Sequence, residues 1–170
     1  MFEPPYARPV KRYAPPVLLR TAAGLVLAAA AACSSSAEVE PPKPAGAAAS
    51  ACEALAEALP KSADGQQRRD AEPESDYTAA WGDPAIALRC GVPRPKVLTP
   101  GTAHYNPTAE SVEVNGVQWL LEQQDDGYLF TALKRKAFVE VRVPSKYAPE
   151  VDPLTDLAGA VKKAVPKTGA

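Results

Sequence analysis

Val112 and Val114, then Asn115 and Gly116, then Val117, Trp119 and Leu121 leave this stretch of chain very little choice. Asn-Gly accepts positive φ at both central positions of a two-residue turn, and that turn carries the twist that lets two strands pair tightly. Apolar residues at every second position on both sides bury one face and leave the other wet. The sequence therefore predicts an antiparallel β-hairpin. The same period of two recurs in Ile86, Leu88, Cys90 and Val92, and again from Ala137 to Val143, before Pro144. A turn at Asp125, Asp126 and Gly127 leads into a strand from Tyr128 to Leu133. Strands linked this way predict an antiparallel β-meander.

Two segments follow the helical period instead. Ser50 and Glu53 have the spacing of a capping box, Cys52, Leu55, Ala56 and Leu59 share one helical face, and Pro60 ends the run. Near the C-terminus Asp152 is placed to cap, Pro153 fits the first helical position, and Leu154, Leu157, Ala158, Val161 and Val165 recur at helical spacing until Pro166. Helices on either side of a run of strands predict an α+β fold, with both helices packed on one face of the sheet. Residues 61–76, polar and rich in acids, read as a solvated loop. Residues 93–110, with four prolines, read as a surface connection with one short strand around Val97 and Leu98.

The N-terminal third has a different character. Arg8, Lys11, Arg12 and Arg20 precede an uncharged run from Thr21 to Ala32 whose twelve residues fall short of the roughly 20 that span a bilayer as a helix. A basic stretch followed by a short apolar one is the pattern of an export signal. Ala30, Ala31 and Ala32 then lead into Cys33 and three serines, which resembles a bacterial lipobox, although alanine stands three places before the cysteine where leucine is usual. The expectation is a signal peptide over residues 1–32, lipidation of Cys33 with palmitate-type acyl chains, and attachment to the extracytoplasmic face of the cell membrane. An ordinary signal peptide or an uncleaved short anchor are the alternatives. Residues 33–50 read as the lipidated cysteine and a disordered tether, too poor in apolar side chains to order itself and reaching on the order of 20 Å. Residues 51–168 read as a single α+β extracytoplasmic domain.

Assigning Cys33 to a lipid leaves Cys52 and Cys90. In an oxidising compartment an even pair predicts a disulfide, which stabilises by about 4 kcal/mol in the chain-entropy treatment. Two buried thiols or a metal pair are the alternatives. Charge excludes a class of partner: the chain has 19 Lys and Arg against 20 Asp and Glu, and removing residues 1–32 takes four of the former and one of the latter, leaving 15 against 19. Nucleic-acid binders concentrate positive charge, so no nucleic acid is expected.

With these residues in view, the chain resembles the actinobacterial lipoprotein family of domain of unknown function 3515. The likeness is carried by Trp81, Gly82, Pro84, Ile86, Leu88, Arg89, Cys90, Gly91, Val92 and Pro93, by Val114, Asn115, Gly116, Val117 and Trp119, and by Phe138, Val139, Glu140, Val141, Val143 and Pro144. It implies a membrane-tethered envelope protein of high-G+C Gram-positive type and brings no catalytic residue, ligand or cofactor with it.

The sequence offers little for catalysis. There is no Gly-x-Ser-x-Gly, no His-Glu-x-x-His and no glycine-rich phosphate loop. His104, the single histidine, reads as a solvated loop residue. The alternating acids of residues 70–76 lack the glycine and final glutamate of a calcium loop, so no metal and no cofactor is expected. Lys134, Arg135 and Lys136 read as a charged strand end that discourages edge pairing, with contact to anionic headgroups or wall polymers as the other reading. Trp81, Trp119, Tyr128 and Phe130 read as core, and Arg89 with Glu140 as a cross-strand ion pair. The functional expectation is a non-catalytic envelope adaptor or accessory factor with a protein partner. The alternative is a small enzyme acting on cell-wall or lipid substrates, for which Glu122 and Glu140 would have to converge on one cleft.

Overall fold

A computed structural model describes residues 36–169 of the chain. The expected signal peptide and Cys33 lie outside the described residues. In chain order the elements are β1 (Ala37–Glu38), α1 (Ala47–Ala58), β2 (Ser62–Ala63), β3 (Gln66–Arg69), β4 (Ala71–Glu72), β5 (Thr78–Trp81), β6 (Ile86–Val92), β7 (Ser111–Val114), β8 (Val117–Gln124), β9 (Gly127–Ala132), β10 (Phe138–Pro144) and α2 (Asp152–Ala164). Short 3₁₀ turns occupy Lys96–Leu98 and Ser145–Tyr147.

Eight strands form one antiparallel sheet in the order β2-β3-β5-β6-β10-β9-β8-β7. Each half is a meander, and the halves meet where β6 pairs with β10. The long connection over residues 93–110 causes this arrangement. It carries the chain from β6, at the centre, to β7, at the far edge, so that β10 returns to the middle. The hairpin forms as the sequence predicts, with Val114 opposite Val117 and Asn115 and Gly116 at φ 48° and 79°. Asn115 Nδ2 donates to the Thr155 carbonyl at 3.1 Å, fastening this turn to α2.

Alternation sorts the side chains. Ile86, Leu88 and Cys90 on β6, Val139, Val141 and Val143 on β10, and Trp119 and Phe130 on β8 and β9 turn to one face and are buried. The two helices cover that face and pack on each other. Leu154, Leu157, Ala158, Val161 and Val165 are fully buried, each of the larger ones stabilising by roughly 1.5–3 kcal/mol. Cys52 and Cys90 are joined, with Cα atoms 5.5 Å apart, so α1 is pinned to β6. The α+β sandwich, the helices on one face and the disulfide all follow the sequence.

Several local expectations do not. α1 begins at Ala47, after Gly46 at φ 55°, and Ser50 lies inside its first turn, donating to the Gly46 carbonyl at 3.2 Å. The alanine run 47–49 is strongly helix-forming, and the left-handed glycine starts the helix where Ser50 was expected to. α2 is flanked by Val151 rather than capped by Asp152, with Pro153 in its first turn. Residues 61–76 hold three short strands, and Val97 and Leu98 form a 3₁₀ turn.

The largest difference concerns the tether. From Ser36 onward it is ordered: β1 pairs in parallel with β4, and Ala37 and Val39 bury themselves against Ala80. Isolated apolar residues that would not order a free chain do so here because Ala71, Ala80, Ala85 and Ala87 form a trough of small side chains. Pro44 then crosses Gly91, where a Cβ would sit 2.5 Å from the proline. Gly91, at φ 87°, keeps that crossing open. Residues 36–44 are therefore a strap on the sheet face opposite the helices.

Candidate functional site

The strap covers one part of that open face. At the other end Leu120 and Thr131, opposite each other on β8 and β9, are also buried there. Between them the register lays out two rows of side chains. One runs Arg89, Glu140, Thr131, Leu120 and the next Ala87, Arg142, Leu129, Glu122. A cleft of about 360 Å³ opens here, with Arg89, Glu140, Leu129 and Arg142 in its floor and Val39 and Glu40 of the strap on its wall.

The polar groups of the cleft are largely engaged. Arg89 Nη1 donates to Glu140 Oε1 at 3.1 Å, the cross-strand pair read from the sequence, while Nε donates to the Glu40 carbonyl at 2.9 Å. One guanidinium thus ties β6, β10 and the strap together. Arg142 Nη2 lies 2.7 and 2.8 Å from the two carboxylate oxygens of Asp126, and this hydrogen-bonded cation holds the Asp126 carboxyl below its usual range.

Glu122 and Glu140 share the open face, but β9 stands between them and they occupy adjacent rows. Two strand spacings put them about 10 Å apart laterally before the row offset is added. Burial first, and then the charge of Glu140, raise the Glu122 carboxyl above the ordinary glutamate range. Glu140 lines the cleft with its charge already matched by Arg89.

The remaining candidates are placed plainly. His104 is exposed in the 93–110 connection. Trp81, Trp119 and Phe130 are core, and Tyr128 packs beside Phe130 at 6.0 Å between ring centres. Arg68 lies over the Trp81 ring at 5.3 Å. The basic run corrects its sequence reading: Lys134, Arg135 and Lys136 join β9 to β10, both interior strands, and so have no sheet edge to guard. Arg135 turns inward instead, donating from Nη1 to the Val165 carbonyl at 3.1 Å and from Nη2 to the Gly116 carbonyl at 3.2 Å. A run of three cations gave no signal that its middle member would be buried. Among the described residues no helix is long and apolar enough to cross a membrane, and no group of three or more His, Cys, Asp or Glu is placed to hold a metal ion.

The family described as Protein of unknown function (DUF3515) matches residues 16–169, most of the chain. The chain belongs to DUF3515. The match spans the strap, the disulfide, the cleft and both helices of this DUF3515 protein. No curated protein and no solved structure matches it.

Proposed function

We propose that the protein is an envelope lipoprotein, cleaved before Cys33, held by acyl chains on the extracytoplasmic side of the cell membrane, and acting as a non-catalytic adaptor for a protein partner. The address rests on the basic stretch 8–20, the apolar run 21–32 and the Ala-Ala-Ala-Cys junction, and a disulfide suits the oxidising side of a membrane. The strap is described from Ser36, and the three steps from Cys33 to it reach at most about 10 Å. The domain would then sit against the lipid surface rather than on a long leash.

The adaptor reading is carried by Arg89. It donates to Glu140 and to the strap carbonyl of Glu40, which makes this cleft of the open face a brace between elements. Fatty-acid labelling of the full chain tests the address: the wild type should carry label and stay with membranes, and Cys33→Ala should lose both. Membrane retention of processed Cys33→Ala protein would refute it. Crosslinking of the native lipoprotein in its own membrane, with identification of what co-purifies, tests the adaptor role. One observation favours the small-enzyme reading, the raised Glu122 carboxyl near Glu140. Turnover of a wall or lipid substrate that Glu122→Gln abolishes without unfolding would establish that reading in place of the adaptor.

A further inference from the structure

Beyond β9, at the end of the sheet opposite the Asp126 turn, the C-terminal tail comes back to meet the basic run. Lys136 N–H donates to the Pro166 carbonyl at 2.9 Å, Thr168 N–H to the Lys134 carbonyl at 3.0 Å, and Arg135 bridges to Lys167. This ribbon walls a cleft of about 320 Å³ with Arg94 and Leu98 of the 93–110 connection on another side. Three cations line it, Arg94, Lys134 and Arg135, together with the apolar Leu98, Leu133 and Phe138, and no acidic side chain does.

The charge there is unmatched. The three ion pairs among the described residues, Arg69 with Asp83, Arg89 with Glu140 and Arg142 with Asp126, all lie elsewhere. Arg135 is the telling member, because it is 94 % buried by its 6 % relative exposure and its donors meet carbonyl oxygens only. The Val165 carbonyl at the C-terminal end of α2 offsets part of that charge, but among the described residues no carboxylate pairs with it, and a buried charge without a full counter-charge carries a cost. An anion in the adjoining cleft removes that cost. Three cations from two segments call for more than one negative charge, and the fork of Arg94 together with the ammonium of Lys134 suits the several oxygens of a phosphate.

We propose that this cleft is a binding site for a phosphate-bearing ligand with an apolar group, the phosphate held by Arg94 and Lys134 near buried Arg135 and the apolar part against Leu98, Leu133 and Phe138. The site is independent of how the protein is anchored. Its volume, near the low end for ligand pockets at about 300 Å³, admits a phosphate and a short apolar group but not a whole two-tailed lipid.

The test is calorimetric titration of the full chain in non-ionic detergent with phenyl phosphate and with inorganic phosphate. Phenyl phosphate should bind with a Kd on the order of 0.1 mM, and inorganic phosphate several-fold more weakly. Arg94→Gln and Lys134→Gln, both at exposed positions, should each weaken binding roughly tenfold, as loss of a charge-assisted bond does. Their melting temperatures should stay at the wild-type value, and Lys61→Gln, at another exposed lysine, should leave binding unchanged. Absence of saturable binding, indifference of both cleft variants, or an equal loss in Lys61→Gln would each overturn the proposal. Vesicles of phosphatidylglycerol in phosphatidylcholine, offered to the Cys33→Ala chain, separate the sources. Vesicle binding that falls with Arg94→Gln assigns the phosphate to a lipid headgroup, and phenyl phosphate binding without it assigns the phosphate to a molecule outside the membrane.

Discussion

Breaking the Cys52–Cys90 bridge by reduction, or by the double change Cys52→Ala and Cys90→Ala, probes how this fold is fastened. The two residues are 38 positions apart, with Cα atoms at 5.5 Å. Closing a loop of that length withdraws about 4 kcal/mol of conformational entropy, expressed as free energy, from the unfolded chain. The stretch it closes runs from Cys52 within α1 to Cys90 within β6 and takes in β2 to β5, so the native state keeps its geometry while the unfolded state gains freedom. Unfolding entropy near 2.1 cal/mol/K per residue over roughly 134 ordered residues converts 4 kcal/mol into a fall in melting temperature of roughly 10–15 °C. The thiols would remain in apolar surroundings, Cys52 at 0 % and Cys90 at 1 % exposure, where small sulfur side chains pack acceptably. The loss should therefore be mostly entropic and should leave the sheet intact. Calorimetric melting with and without reductant measures it, alongside thiol titration of the denatured, unreduced protein. Two titratable thiols, or a melting temperature indifferent to reductant, would refute the reasoning.

Three other changes have defined outcomes. Because burial and Glu140 raise the Glu122 carboxyl, the folded protein holds that proton to higher pH than the unfolded chain does. Stability is therefore lost as pH rises from the ordinary glutamate range through the raised value; Glu122→Gln should melt higher than wild type above that window and show no such advantage below it, and parallel melting curves at every pH would contradict the assignment. Val39→Asp places a carboxylate where a 4 %-exposed valine packs on Ala80; it removes about 2 kcal/mol of apolar burial from the strap, and limited proteolysis should newly cut residues 36–46 while the remaining domain survives. Arg135→Leu strips donors from the Val165 and Gly116 carbonyls, and chemical denaturation should find it destabilised by about 1–3 kcal/mol; stability at or above wild type would contradict this.

Periodicity made the sheet legible wherever a strand was long enough to show it. β6, β8 and β10 have seven or eight residues each, and alternation over that length has no helical interpretation. The strands of residues 61–72 have two to four residues and carry Gln66, Gln67, Arg68 and Arg69. Their pairing is held by backbone bonds and by the long stems of arginines, such as Arg68 over Trp81, which no hydrophobic pattern records. The strap was hidden for a related reason. Its apolar content is only Ala37, Val39 and a few prolines, and what orders it is a complementary trough of alanines more than thirty residues downstream. Composition judged within a window cannot see a partner that far along the chain.

The candidate sites divide along the same line. Arg89 and Glu140 could be paired from sequence because each sits at an outward position of a recognisable strand, and strand neighbours on one face meet in predictable ways. Glu122 lay on the right face too, but the number of strands separating it from Glu140 depends on β10 pairing with β6 and β9, a global fact that no local pattern contains. Lys134, Arg135 and Lys136 were misread for want of that same fact. Had β9 or β10 been an edge, three cations between them would be a solvated guard; placed between interior strands, with residues 166–168 folded back on them, they become the wall of a cleft. Topology, rather than residue type, decides which of those two roles a run of like charges performs, and here it turns the least informative motif of the sequence into the surface most in need of a ligand.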